Sequence, residues 1–326
     1  MIRYDYVMMY DQETRDLPDL APWSAAQVAH LRPLADAALA VGRLDADVVA
    51  LPPDQRAGFL RRLALIEVDE ILWAEGRPLP REDIAVDLMD ARAASDPEAV
   101  RFSRWAVRRL EGQSKLDDLR AFLGLHRVES AGQATWLRPT GIEFDEAAQM
   151  FQTGRQGASG LYPLARAPFL RMLWRLADLS PDAAGGEAAI WIARDMAAGC
   201  QGLTFLPLGR GQRRLLTEIG TPEERLGRHL ELLTEGTRSA RRMLGQLNQW
   251  RREATEITDQ IKGRTPSRII SAVAAQPLIS AAAVAQATGI SRLTAERQLA
   301  RLQEIGLIRE ITGAKRFRLW SANLAG

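Results

Sequence analysis

The chain is poor in the residues that build disulfides, metal centres and imidazole chemistry. Its 326 residues include one cysteine and three histidines. Cys200 has no internal partner, and no Cys/His group has zinc-ligand spacing. His30, His126 and His229 lie far apart in sequence, so no metal site and no cofactor is expected. No uninterrupted apolar run approaches the roughly 20 residues that cross a bilayer. The opening Met-Ile-Arg-Tyr-Asp-Tyr carries charge where a signal peptide needs an apolar core, so a cytoplasmic location is expected. Lysine is scarce too: Lys115, Lys262 and Lys315 are the only ones. That preference for arginine reads as codon usage in a GC-rich genome rather than as phosphate recognition.

What is present fits a globular protein long enough for two domains. The net charge of +2 decides nothing, but its distribution does. From residue 264 onward nine basic residues face three acidic ones, a net +6, which leaves −4 for everything before. A basic end on an acidic body is the asymmetry expected when one module alone meets phosphate.

Proline and glycine punctuate a helical pattern. Helices are expected from Trp23 to about Ala40, over 54–74, and near 81–92, 97–111, 116–123, 143–153, 161–177 and 186–198. In 54–74, Phe59, Leu63, Ile66 and Ile71 give an amphipathic stripe that Glu75-Gly76 closes. The Gly-containing stretch 127–142 reads as a hairpin, and 178–186 as a loop. The longest helix runs over 222–262, opened by Pro222, Glu223 and Glu224. Its stripe of Leu226, Leu230, Leu233, Ala240, Leu244 and Leu247 fits packing against the body. A dimer seam is the alternative, although Thr237 and Arg251 interrupt a strict heptad. Gly263 ends this helix.

Three short helices and a hairpin follow. The first covers 266–275 and stops at Pro277; Ser280 caps a second over 281–288. Gly289 supplies a tight turn, and Ser291 caps a third helix running to about Ile305. Ala295, Leu299 and Leu302 share its inner face, while Leu293, Thr294, Arg297 and Arg301 share the outer one, with Arg292 in the first turn. Strand-like runs Leu307–Ile311 and Arg316–Trp320 flank Thr312-Gly313-Ala314-Lys315. The pattern is a winged helix-turn-helix, whose third helix enters the major groove by its N-terminal part. Ser291, Arg292, Thr294, Arg297 and Arg301 are the expected readers of bases and phosphates; Lys315, Arg316 and Arg318 are the expected wing contacts to the DNA backbone.

The order of these elements, in TPSRIISAVAAQPLISAAAVAQATGISRLTAERQLARLQEIGLIREITGAKRFRLW (265–320), resembles the C-terminal winged helix of many bacterial Fic-family proteins. Upstream, LADAALAVGRLD (34–45) and EILWAEGRPLPREDI (70–84) resemble the Fic N-terminal region. HLELLTEGTRSARRMLGQLNQW (229–250) resembles the helix after the Fic active site. The resemblance implies a mainly α fold: a Fic-like helical bundle over 1–221, the long helix over 222–263, and a winged helix-turn-helix with a small β-hairpin over 264–326.

It also implies where catalytic residues would stand. The Fic motif, His-x-Phe-x-(Asp/Glu)-Gly-Asn-Gly-Arg-x-x-Arg, supplies a general base, a metal-holding carboxylate and a phosphate cradle. By position it falls on SPDAAGGEAAIWIA (180–193). Ser180 then stands for the His, Ala184 for the acidic residue, Gly186 for the Asn, Ala188 for the first Arg and Trp191 for the last. Only Pro181 and Gly185 keep their type. A segment without base, metal ligand or phosphate-binding Arg lacks that transfer chemistry. Ile71 stands where the Fic inhibitory helix has Ser or Thr, while Glu75 and Gly76 remain. With its Arg partner replaced, Glu75 is expected to be a surface or helix-end residue. Two weaker candidates are set aside: 229–238 lies mid-helix, and GRGQRR (209–214) reads as a solvated turn, although its backbone is of a kind that can bind an anion.

The expectation is a non-enzymatic transcriptional regulator that binds double-stranded DNA, with no catalytic residues, acting as a homodimer. Its body would answer to an effector or a protein partner. The alternative is a divergent Fic-like nucleotidyl or AMP transferase with a rebuilt site. A winged helix used only for protein contact is a third reading, against which Arg297 and Arg301 weigh.

Overall fold

The computed structural model describes residues 17–89, 96–125, 138–181, 185–215, 219–259, 265–313 and 318–324. Lys315, Arg316, Ala184, Gly263 and most of the 127–142 stretch lie outside them.

The first helix expected from sequence is in fact two. α1 (Ala21–Ala29) and α2 (Leu31–Val49) meet at His30, whose backbone leaves the helical range (φ −108°, ψ 27°). α2 continues past Ala40 because Val41, Leu44 and Val48 carry its buried stripe onward. α3 (Pro53–Ala74) follows the Pro52-Pro53 break. Its burial goes beyond the single apolar stripe that its spacing implied. Besides Phe59, Leu63 and Ile71, it buries Leu60, Ala64, Leu65, Val68 and Leu72, and also the polar Arg62, Glu67 and Glu70. Neighbours on several sides explain this: α4 (Arg81–Leu88), α5 (Pro97–Leu110), α9 (Gly185–Met196) and α10 (Gln212–Leu215) all pack on it.

The remaining body helices are α6 (Leu119–Leu123), α7 (Gly141–Gly157) and α8 (Pro163–Leu176). α7, α8 and α9 meet in an aromatic cluster. The Phe151 ring lies 5.2 Å from that of Trp174 and 4.9 Å from that of Trp191, edge-on in both cases. Each such side chain contributes about 1.5–3 kcal/mol by leaving water.

α11 (Pro222–Asp259) has 38 residues and spans about 57 Å at an α-helical rise. Leu226, Leu230, Leu233, Ala240, Leu244 and Leu247 are buried within the chain itself, where α11 lies along α2, α1 and α8. The stripe is core packing, and those side chains do not form an exposed dimer seam.

The C-terminal elements are α12 (Thr265–Ala274), β1 (Ile279–Ser280), α13 (Ala281–Thr288), α14 (Arg292–Glu304), β2 (Ile308–Glu310) and β3 (Leu319–Ala322). The sheet is three-stranded and antiparallel in the order β1-β3-β2. Ile279 pairs with Trp320, and Ile308 with Ala322. β1 is too short to show alternation, so the sequence pattern revealed only the hairpin. The second hairpin strand also runs beyond Trp320 to Ala322, because Trp320 and Ala322 are buried against the helices.

Candidate nucleic-acid interface

The turn between α13 and α14 forms as its residues dictate. Ser280 Oγ accepts from Ala283 N–H (3.1 Å) and caps α13. Gly289 then adopts φ +71°, a left-handed conformation that a side chain would strain. Ser291 Oγ accepts from Thr294 N–H (3.2 Å) and starts α14. Ala295, Leu299 and Leu302 anchor the helix inward and are all but fully buried.

The opposite face of α14 is open. Arg292, Arg297 and Arg301 are exposed, and Leu293 is 64% exposed. Thr294 is half-buried, with Oγ1 2.8 Å from Ser291 Oγ. Arg292 meets Glu296 one turn on at 3.1 Å, both side chains in solvent. Such a pair is worth at most about 1 kcal/mol and leaves the guanidinium available. Four of the eight residues expected to contact DNA therefore lie on α14, three of them within its first two turns, and a fifth, Ser291, caps it. Leu293 was not among them; its exposed apolar side chain suits the methyl group of a thymine.

The wing is different. Arg318 donates to Gln303 Oε1 (3.2 Å) and lies 5.0 Å from the centre of the Trp320 ring. It meets α14 near the helix C-terminus, away from the turn that carries Arg292 and Thr294. Glu310 accepts from the backbone N–H groups of Thr312 and Gly313 and shapes the start of the wing turn. Lys315 and Arg316 fall outside the described residues.

The winged helix is seated on the body by contacts that the sequence did not announce. Arg62 is buried and donates to the backbone carbonyls of Val273 (3.0 Å), Ala274 (2.8 Å) and Gln276, around the C-terminal end of α12. Burial lowers its pKa to about 10, yet the group stays charged at neutral pH, opposite the negative end of the α12 dipole. One turn earlier on α3, Gly58 lets the backbones touch: a Cβ there would stand 2.0 Å from Ala275 O. Trp250 of α11 donates to Leu307 O (2.7 Å) at the start of β2.

The segment aligned with the Fic motif sits at the N-terminus of α9. Ser180 Oγ accepts from Trp174 Nε1 (2.9 Å) and donates to the Glu187 carboxylate, which Arg138 pairs at 2.6 Å. Ala188 and Trp191 are buried, Trp191 in the aromatic cluster. Gly186 has no room for a Cβ, which would meet Phe102, Ile71 and Glu75 within 3.0 Å.

Glu75 does close α3, as a helix-end residue, but it is not simply on the surface. Its Oε1 accepts from Gly186 N–H at 2.7 Å. Burial lifts its carboxyl above the usual range, against the pull of that N–H and of Arg77. The space left between Glu75, Arg171, Gly186 and Gln212 is about 10 Å³, at most one water.

The glycine turn at 208–212 also differs from expectation. Its backbone does hold a carboxyl group, but that group is internal. Glu67, fully buried, accepts from Gly209 N–H (2.7 Å), Leu208 N–H (3.1 Å) and Gln212 Nε2 (2.6 Å). Burial pushes its carboxyl up to about 7, against those donors. Nearby, Arg213 pairs with Glu70 and stacks 3.6 Å from the Trp73 ring centre. Two carboxylates of α3, two turns apart, thus occupy backbone N–H groups that an exogenous phosphate would need.

Comparison with known proteins agrees with both halves of this architecture. A family described as winged helix-turn-helix DNA-binding matches residues 264–309. No curated protein matches the chain in sequence. In structure, the chain is similar to a Fic family protein from Desulfovibrio desulfuricans G20, with a TM-score of 0.50 and 17% identity. The likeness covers 91% of this chain and 97% of that one. The chain therefore has a Fic-like helical fold that ends in a winged helix-turn-helix of the DNA-binding kind.

Proposed function

We propose that this protein is a DNA-binding transcriptional regulator that reads a duplex with α14 and performs no catalysis. The observation that carries the reading is the open face of α14. Arg292, Thr294 and Arg297 stand in the first two turns of α14, the end that enters the major groove in this motif, and the exposed Arg301 follows one turn further on. Lys315, Arg316 and Arg318 are the residues that meet the DNA backbone in this reading. Reading two half-sites requires two copies, so the regulator works as a homodimer. The dimer contact lies outside the α11 leucine stripe, which is already buried. Mapping DNA bound by this protein across its genome tests the proposal: discrete sites with a common sequence are expected, and uniform coverage would refute it.

The Fic-like fold supports a second reading, a transferase with a rebuilt site. Weighing against it are the replaced motif positions and the carboxylate of Glu75 on Gly186 N–H. Incubation with labelled nucleotide and candidate protein substrates separates the two. Label transfer supports the transferase, and its absence supports the regulator.

A further inference from the structure

α2 carries two apolar faces, and only one of them is covered. Leu34, Ala37, Val41, Leu44 and Val48 are buried, and α11 lies along the helix. Leu31, Ala35, Leu39, Gly42, Ala46 and Val49 form a second line, at steps of four, four, three, four and three residues. That spacing keeps them on one side of an α-helix and is the spacing of a seam between helices. All six are exposed, Leu31 at 59% and Leu39 at 53%. The line is about 27 Å long at an α-helical rise, and among the described residues nothing covers it.

One edge of the line is charged in a regular order. Arg32, Asp36 and Arg43 are exposed and make no hydrogen bond or ion pair among the described residues. Asp47 pairs with Arg241 of α11 at 2.6 Å. Asp36, Leu39 and Arg43 line one notch, so the charges run directly beside the apolar line. Asp36 and Arg43 stand equally far from a point between Leu39 and Ala40, and so do Arg32 and Asp47, with one charge of each sign in both pairs. The apolar line has nearly the same centre. Leu31 mirrors Ala46, and Ala35 mirrors Gly42, about a point one residue away.

A second α2 laid antiparallel on the first, across a two-fold axis at this centre, satisfies both patterns at once. Each Asp36 meets an Arg43 of the other copy, and each Arg32 an Asp47. The two Leu39 side chains meet at the axis, with the small Ala35 and Gly42 on either side. Leu31 then stands opposite Ala46, large against small. Such an interface is isologous, as a closed dimer requires. A parallel pair in register would instead set like charges level with each other. A nucleic acid would meet Asp36 and Asp47 here and gain nothing from the apolar line.

We propose that this exposed face of α2 is a dimer interface, occupied by the same face of a second copy of this chain in antiparallel orientation. The proposal gives a surface to the homodimer of the regulator proposed above, but the interface is measured without DNA. A dimer with no DNA affinity would therefore fail that reading alone. Sequence-specific DNA binding by a monomer would fail this one and leave DNA reading intact. One helix seam is smaller than a standard interface, so dissociation is expected at roughly micromolar concentration.

Sedimentation equilibrium of the full-length protein across the micromolar range is the test, and a monomer–dimer equilibrium is expected. Leu39→Asp should weaken it by about tenfold or more, because two carboxylates would face each other at the axis. Leu39 is 53% exposed in the single chain, so circular dichroism should not change. Asp36→Arg and Arg43→Asp should each weaken the dimer by about three- to tenfold, and the two combined should recover most of that loss. The two positions are about 10.5 Å apart along their own helix, so the recovery reports a contact between copies. A monomer throughout the range overturns the proposal. So does a dimer that Leu39→Asp leaves unchanged, which would place the contact elsewhere. No recovery in the double variant overturns the antiparallel arrangement.

Discussion

Arg62 and Gly58 show how two residues of α3 hold the reading domain in place. Removing the Arg62 guanidinium leaves several carbonyls at the end of α12 without their donor. Arg62→Met is therefore expected to cost about 3 kcal/mol or more, seen as a lower urea midpoint. Gly58→Ala should also be strongly destabilising, because its Cβ would enter a backbone carbonyl. The contrast is Gly42, in the middle of α2 with open space around it. There the same change should stabilise by about 0.5–1 kcal/mol, the ordinary helix preference of alanine over glycine. Equal effects at the two glycines would contradict the docking described.

Glu67 makes a pH prediction at the same scale. Its folded carboxyl holds a proton up to about pH 7, whereas an unperturbed one releases it near 4.5. The resulting stability is complete below about 4.5 and is lost as pH rises through about 7. Unfolding midpoints compared across that window should show a downward slope in the unmodified protein relative to Glu67→Gln, which cannot titrate. Parallel curves would show that Glu67 is ionised throughout.

Among the elements, α14 depends on its cap. Ser291→Ala removes the acceptor for Thr294 N–H and should lower stability by about 1 kcal/mol, measured by thermal unfolding. This element was also the most legible in sequence. Ser280, Gly289 and Ser291 are local signals, and local chemistry set α13 and α14 within a residue or two of expectation. α3 was less legible. Its spacing showed one apolar face, but its burial on several sides depends on partners distant in sequence. Arg62 looked like any other arginine because the carbonyls it binds lie more than 200 residues away. Glu67 and Glu75 were hidden for the same reason. An acidic residue in a helix reads as solvated until the N–H groups it faces are known. α1 and α2 were merged although Pro33, in the first turn of α2, is a local mark of a new helix start.

For the molecule as a whole, a Fic-like bundle and a winged helix share one continuous set of packing contacts through α3, α11 and α12. The body turns the N–H groups of Gly186, Leu208 and Gly209 onto its own carboxyl groups, while α14 leaves its cations in solvent. DNA recognition is accordingly the activity that this arrangement supports best. The direct test is fluorescence anisotropy with a selected duplex and a scrambled one, over a range of salt concentrations. The unmodified protein should prefer the selected duplex, with affinity falling linearly on a log–log salt plot. Arg297→Ala should lose about 1–3 kcal/mol of that preference, while Lys315→Ala should weaken both duplexes alike. No binding to either duplex at low salt, or an unchanged preference in Arg297→Ala, would contradict the account.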